Sequence, residues 1–279
     1  MMAPEMMNMP FRTVPRVVRT TLLTLLLAAF ALPCFAAEKL IALTFDDGPR
    51  PYVLYGVRQP GAGSSVNQGL LDVLDRNGVK ATFFVMGWRL TPKTWGESPH
   101  ETNIGVTCLE AAHEVLRRGH EIENHTYSHA NLRIAERKKG EAWVLADVEH
   151  GAEVVQAVTG SKPLYLRPPD WELPGDARGD LEKRGFRILT ISGDNPIALR
   201  DVNSQDYLCA GKGVGCPRPS LAQSVLNTIE QREKKGVYTD ILAFHELTTT
   251  TAQLPELIAA LKARGYRFVT VAEYMKLVR

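Results

Sequence analysis

Polar residues able to carry protons or bind metal stand at the ends of five apolar runs. They are Asp46 and Asp47 after the first run, His125 after the third, Arg167 after the fourth, Asp194 after the fifth and His245 after the sixth. The strongest local pattern is "HTYSH", which spaces His125 and His129 four residues apart. On a helical turn this spacing puts both imidazoles on one face, where their nitrogens can converge on a divalent metal. One carboxylate would complete a set of two histidines and one acid, leaving other positions open to water. An isolated H-x-x-x-H is equally the pattern of two surface histidines. The adjacent Asp46 and Asp47 repel each other when both are charged, so each needs its own neutraliser. Of the remaining histidines, His100, His113 and His150 lie in loop or helix contexts without partners, and His120 is expected to pack near a strand start.

These residues need a scaffold that brings strand ends together. From Lys39 onward, short apolar runs alternate with amphipathic stretches, the pattern of parallel strands and crossover helices. Candidate strands are "KLIALTF", "ATFFVMG", "HEIENH", "YLRPP", "RILTIS", "DILAFH" and "RFVTV". Candidate helices are "NQGLLDVLDRNG", "CLEAAHEVLRRG", "EAWVLADVEHGAEVVQAVTG", "RGDLEKRG", "PSLAQSVLNTIEQREKKG" and "LPELIAALKARG", each closing on a glycine suited to a left-handed cap. About seven such units imply an α/β fold and suit a single closed barrel better than an open sheet. In either architecture the C-terminal ends of the strands are where sites are built. Residues 50–66 and 88–106, rich in Pro, Gly, Ser and Thr, read as loop insertions within one domain.

The first 36 residues are set aside. Arg12, Arg16 and Arg19 precede the run "TLLTLLLAAFAL", then Pro33 and "CFAAE", which together read as a secretory signal. Cleavage is expected between Ala36 and Ala37, giving a domain over residues 37–279 in a periplasmic or secreted location. Acylation of Cys34 fits badly with Pro33 before it, and the apolar run is short for a membrane anchor. Removing three Arg and one Glu from 33 basic and 31 acidic residues leaves 30 of each. A neutral chain without a basic stripe gives no electrostatic case for nucleic acid. Export permits disulfides, and Cys209 and Cys216 flank the glycine-rich "CAGKGVGC", so they are the expected pair. Cys108 is then expected to be a buried thiol outside the disulfide.

The set "TFDDGP", "HTYSH", "RPP", "SGDN" and "LAFH", in this order, resembles the polysaccharide deacetylases of carbohydrate esterase family 4. "ATFFVMG" and the closing "LPELIAALKARGYRFVTVAEY" are similar to the family as well. The resemblance covers nearly all of residues 39–276. It implies a distorted (β/α) barrel of seven to eight strands that removes acetyl groups from N- or O-acetylated sugars with a divalent metal. Carried over by position, it makes Asp46 the general base, Asp47, His125 and His129 the metal ligands, Arg167 the residue that holds Asp46, and His245 the general acid. Thr126 would brace the metal-binding loop, and Leu242 would line the acetyl-methyl pocket or serve as a plain core leucine. Zinc is the first expectation for this ligand set, and cobalt and nickel also suit it. Asp194 could pair with His245 and raise its pKa, or simply form a turn.

Two departures bear on the substrate groove. After "RPP" the family usually continues with an aromatic residue and Gly, whereas here Asp170 takes the aromatic place and Trp171 follows, where it could wall a sugar ring. The fourth motif usually ends in Asp-Trp, but Asp194 is followed by Asn195 and Pro196. The resemblance implies an N-deacetylase of peptidoglycan- or chitin-type glycans, and the chain is separately expected to be a monomer without stable membrane insertion after signal removal. The alternatives are an O-deacetylase of acetylated xylan and a silent glycan-binding barrel. Five catalytic positions present together count against the last.

Overall fold

β1 (Leu40–Gly48) is the centre of the molecule, and every residue in it but Asp47 is buried. Its even-numbered residues Leu40 and Ala42 pack with Phe84, Tyr165, Leu189, Ile241, Val269, Val271 and Tyr274 inside the curve of the sheet. Its odd-numbered residues Ile41, Leu43 and Phe45 join Phe83, Phe244 and the apolar faces of the helices outside it. A strand covered on both faces reads as a continuous apolar run, which is why "LIALTF" was recognisable without alternation.

The computed structural model describes residues 38–56, 68–91, 105–189, 201–209 and 215–278. Around β1 lie β2 (Thr82–Val85), β3 (Glu121–Asn124), β4 (Tyr165–Leu166), β5 (Arg187–Ile188), β6 (Asp201–Asn203), β7 (Thr239–His245) and β8 (Arg267–Val269). All pairings are parallel, in the order β5-β4-β3-β2-β1-β7-β6. β8 shares an edge of β1 with β2: it pairs with Leu40–Ala42, and β2 takes over from Thr44. The result is an α/β fold in one unit, Glu38–Arg279, a curled parallel sheet of eight strands that forms a distorted barrel. Among the described residues it is not closed between β5 and β6, whereas the sequence pattern suggests a closed barrel. β6 is the strand that the sequence pattern does not reveal, because only Val202 among its three residues is apolar.

The crossover helices are α1 (Pro51–Leu54), α2 (Leu70–Arg76), α3 (Cys108–Arg117), α4 (Leu132–Lys139), α5 (Glu141–Thr159), α6 (Gly175–Lys183), α7 (Leu221–Glu233), α8 (Thr248–Ala263) and α9 (Val271–Leu277). The start of α3 shows why the chain turns helical there. Thr107 Oγ1 accepts from the Glu110 N–H while the Glu110 carboxylate accepts from the Thr107 N–H, a capping box that satisfies two end donors at once. Cys108 is buried in this first turn. The Cys209–Cys216 disulfide is present, with Cα atoms 4.4 Å apart. No helix among the described residues is long and apolar enough to cross a membrane.

Candidate active site

A β-bulge separates the two adjacent carboxylates. Along the β1/β2 ladder, Asp46 pairs with Phe84 and Gly48 with Val85, so Asp47 is the extra residue, with φ of 67°. A bulge bends the strand and re-aims the side chain it carries. Asp46 keeps the inward parity of Leu40, Ala42 and Thr44, and Asp47 turns towards the loop after β3.

Asp46 meets a buried cation. Arg167, fully buried at the end of β4, donates from Nη1 to Asp46 Oδ1 at 2.6 Å, and its guanidinium lies 4.2 Å from the Phe84 ring centre. The expected Asp46–Arg167 contact is therefore in place, as a charge-assisted hydrogen bond away from water.

Asp47 meets the two histidines, although not on a helix. "HTYSH" forms a tight turn after β3, in which Thr126 and His129 have φ of 66° and 59°. This corrects the helical-turn expectation: the left-handed residues, rather than a 3.6-residue repeat, bring the rings to 5.0 Å between centres. The Thr126 hydroxyl accepts from the His129 N–H at 3.1 Å, which is the bracing expected of it. The turn is strapped on two sides. Gly87 and Trp88 N–H groups donate to Thr126 O and Tyr127 O, and Asp147 of α5 accepts from Ser128 and Tyr127 N–H groups. α5 reaches this close because residue 151 is glycine: a Cβ there would lie 2.6 Å from the Thr126 carbonyl carbon. Gly151→Ala is thus expected to cost about 1–3 kcal/mol of stability and to weaken metal binding, measurable as a lower melting temperature and a smaller shift on adding metal.

The three ligand candidates converge. One atom each from Asp47, His125 and His129 lie within 4.8 Å of one another. Asp47 Oδ1 is 2.9 Å from His129 Nε2 and 3.4 Å from His125 Nε2, yet among the described residues no donor meets it with hydrogen-bond geometry. His125 Nδ1 lies 2.7 Å from the Arg167 carbonyl, so it carries the proton and Nε2 presents a lone pair. Burial works to raise the Asp47 pKa, but the two imidazoles outweigh it and hold the carboxyl well below its usual range. An ionised carboxylate and two nitrogen lone pairs aimed at one point fit a divalent cation.

Across the cavity, register sets Asp46 beside His245 on the neighbouring strand β7. Among the described residues, the carboxylate that meets His245 is Asp206. Asp194 lies outside the described residues, and Nδ1 of His245 is 2.7 Å from Asp206 Oδ1. Asp206 is fully buried and also accepts from the His245 N–H at 2.8 Å and the Thr250 hydroxyl at 2.6 Å. Burial opposes the charged form of His245, but Asp206, then Asp46 and Asp47, outweigh it and push its pKa up to about 9. The signal for this residue was in the sequence: "NSQDY" places an aromatic, Tyr207, directly after Asp206, closer to the Asp-Trp ending than "SGDN".

Asp46, Asp47, His125, His129, Trp171 and His245 line one cavity of about 510 Å³, together with Pro168, Asp170, Asn203 and Tyr207. Asp170 and Trp171 both have positive φ, 56° and 53°, an uncommon conformation for a bulky residue, and Asn131 donates to the Asp170 carboxylate at 3.0 Å. The Tyr207 ring stands edge-on to His245 with centres 5.8 Å apart. Leu242 does not join the cavity. It is fully buried in the layer facing the helices, because a residue three before His245 has the opposite strand parity, and the position on the His245 face is Ala243.

Comparison with known proteins decides the family. Residues 36–189, more than half of the chain, match the family described as polysaccharide deacetylase. The chain belongs to the polysaccharide deacetylase family. Among its relatives, a peptidoglycan-N-acetylglucosamine deacetylase of Bacillus cereus is 27% identical over 243 residues, covering 86% of this chain and 89% of that protein. A chitin deacetylase of Pestalotiopsis sp is 30% identical over 192 residues, which are 66% of this chain and 54% of the relative, so the chain spans just over half of that protein. In fold, the chain is similar to a family 4 acetyl xylan esterase from Clostridium thermocellum solved with a cobalt ion. The TM-score is 0.58 at 24% identity, over 86% of this chain and 91% of the other.

Proposed function

We propose that the protein is a divalent-metal-dependent N-deacetylase of N-acetylglucosamine-containing glycans, peptidoglycan or chitin in type. The observation that carries this reading is the placement around one cavity of a three-atom ligand set, a carboxylate clamped by a buried arginine and a histidine clamped by a buried aspartate.

Asp47, His125 and His129 would hold the cation, with zinc first and cobalt or nickel also suited to the set. When bound, a divalent ion supplies Lewis acidity, polarising a carbonyl and making water a better nucleophile near neutral pH. The chain's own residues manage the protons. Asp46, oriented by Arg167, takes the proton of the water that attacks the acetyl carbon. His245 is charged at neutral pH because of Asp206, and its Nε2–H gives its proton to the departing amine nitrogen as the C–N bond breaks. Acetate and a glucosamine unit leave, and exchange with water restores both residues. Trp171 and Tyr207, which line the cavity, provide apolar faces for sugar rings.

A charged acid supports the amide over the ester, since an amine is a far poorer leaving group than an alkoxide. The names of the peptidoglycan and chitin relatives point the same way. Residues 1–36 are proposed as an export signal and residues 37–279 as the exported, monomeric enzyme in the periplasm or outside the cell. The family match from residue 36 and the compact unit from Glu38 support that division. The test is acetate release by purified protein, supplied with zinc or cobalt, from chitin oligomers, peptidoglycan and acetylxylan. Release from the first two at rates above acetylxylan is expected. Metal-bound protein that releases none from any of the three would refute the reading.

A further inference from the structure

Glu246 is fully buried, directly follows the proposed acid His245, and has no part in the proton transfers. A buried carboxylate is costly unless something engages it. Its backbone N–H donates to Asp46 O at 3.3 Å, and its Oε2 accepts from the Arg50 N–H at 2.6 Å. Its other oxygen lies where a side chain on residue 48 would begin: a Cβ on Gly48 would be 1.6 Å from Glu246 Oε1. The glycine of "DDGP" thus makes room for the carboxylate, and the carboxylate seats the turn that leaves β1.

From that turn Arg50 reaches back to the metal-ligand candidate. Its Nη2 lies 3.3 Å from Asp47 Oδ2, and its Nε lies 3.5 Å from the Asp47 carbonyl oxygen. Asp47 therefore has its two oxygens in different company, Oδ2 at a guanidinium and Oδ1 at the two histidines. A carboxylate can offer a cation one oxygen or two, and the second would fill a position that water or substrate needs.

We propose that Arg50, seated by Glu246, is a positioning residue that occupies Asp47 Oδ2 and presents Oδ1 alone to the metal. The inference rests on the metal-dependent reading above and deepens it. Its chemistry is that of an outer group fixing the orientation of a ligand, and losing such groups typically costs about 10–100-fold in affinity or activity.

Cobalt provides the test, because its visible bands weaken as its coordination number rises. In the Arg50→Met protein loaded with cobalt, the bands should lose intensity as Asp47 swings to bind through both oxygens. At saturating cobalt, kcat on an N-acetylated oligomer should fall about tenfold or more. The melting temperature of the metal-free protein should stay near that of the parent. Arg50→Lys, whose ammonium can still reach Oδ2, should keep the parent spectrum. A parent spectrum in Arg50→Met, or an Arg50→Lys spectrum as altered as that of Arg50→Met, would overturn the proposal. Failure of the unmodified protein to take up cobalt would instead overturn the metal-dependent reading itself.

Discussion

Asp46→Asn is expected to retain the metal and lose turnover, with kcat down by about 10²–10⁴, while Asp47→Ala is expected to lose both. The two residues are neighbours in sequence, but the bulge at Asp47 sends them to different partners. The asparagine keeps the shape of Asp46 and can still accept from Arg167, yet it cannot take a proton from water. The ligand set is untouched, so metal content after dialysis should match the parent. Stability should fall, because Arg167 is fully buried and its carboxylate supplies the opposing charge. Removing Asp47 takes away the anionic ligand and leaves two neutral imidazoles. Metal titration by calorimetry and single-turnover deacetylation together separate these outcomes. Equal metal loss in both variants would show that the carboxylates share one task.

How far the sequence foretold this arrangement depends on which physical signal each residue carries. β1, β2 and β7 were readable because strands buried on both faces are continuous apolar runs, as in "LIALTF" and "DILAFH". β6 carries one apolar residue, and periodicity has nothing to act on there. α8 begins at Thr248, six residues before the "LPELIAALKARG" pattern, because a run of four threonines and an internal Pro255 argue against helix until packing overrides them. At the site, Asp46, Asp47, His125, His129, Arg167 and His245 come together from four different segments, and the motifs that carry them are legible in the sequence. The geometry was less legible. A four-residue spacing looks helical whether a helix or two left-handed residues produce it, and nearness to His245 in sequence does not reveal the face of β7 that Leu242 takes, which strand parity decides. Asp206 went unnoticed because "SGDN" also places an Asp after an apolar run. Arg50 is only three residues from Asp47, but the Glu246 that seats it lies 196 residues away and carries no pattern.

The barrel makes such long-range relations inexpensive to maintain. β7 lies against β1 in strict register from Leu40↔Thr239 to Asp46↔His245, so the proposed base and acid are fixed relative to each other by backbone hydrogen bonds. The segment after β6 then needs only one residue, Asp206, to hold the proposed acid. That residue holds both the backbone and the ring of His245, and α8 contributes Thr250 as a third donor to it.

Asp206→Asn should therefore act through the pH profile more than through the fold. In the parent protein the charged form of His245 persists up to about pH 9, and kcat/KM for an N-acetylated substrate should decline as pH rises through that value. A cation on Asp47 offsets that carboxylate's share of the field, whereas the contribution of Asp206 remains. With asparagine at 206 the nearest anion is gone and only Asp46 is left to oppose burial, so the limb should move down towards about pH 6.5. At pH 8 the charged fraction would fall by about 30-fold if the pKa drops to the ordinary histidine value of about 6.5. The rate on an amide should fall with it, and the parent rate should be approached again as pH is lowered, until the ligands begin to protonate. On an acetyl ester the same substitution should cost much less, because an alkoxide leaves with little help. His245→Ala should remove the alkaline limb altogether and widen the gap between ester and amide. Measuring kcat/KM from pH 5 to 10 on a matched ester and amide decides the matter. An unchanged alkaline limb in Asp206→Asn would mean that His245 is not the group that protonates the amine.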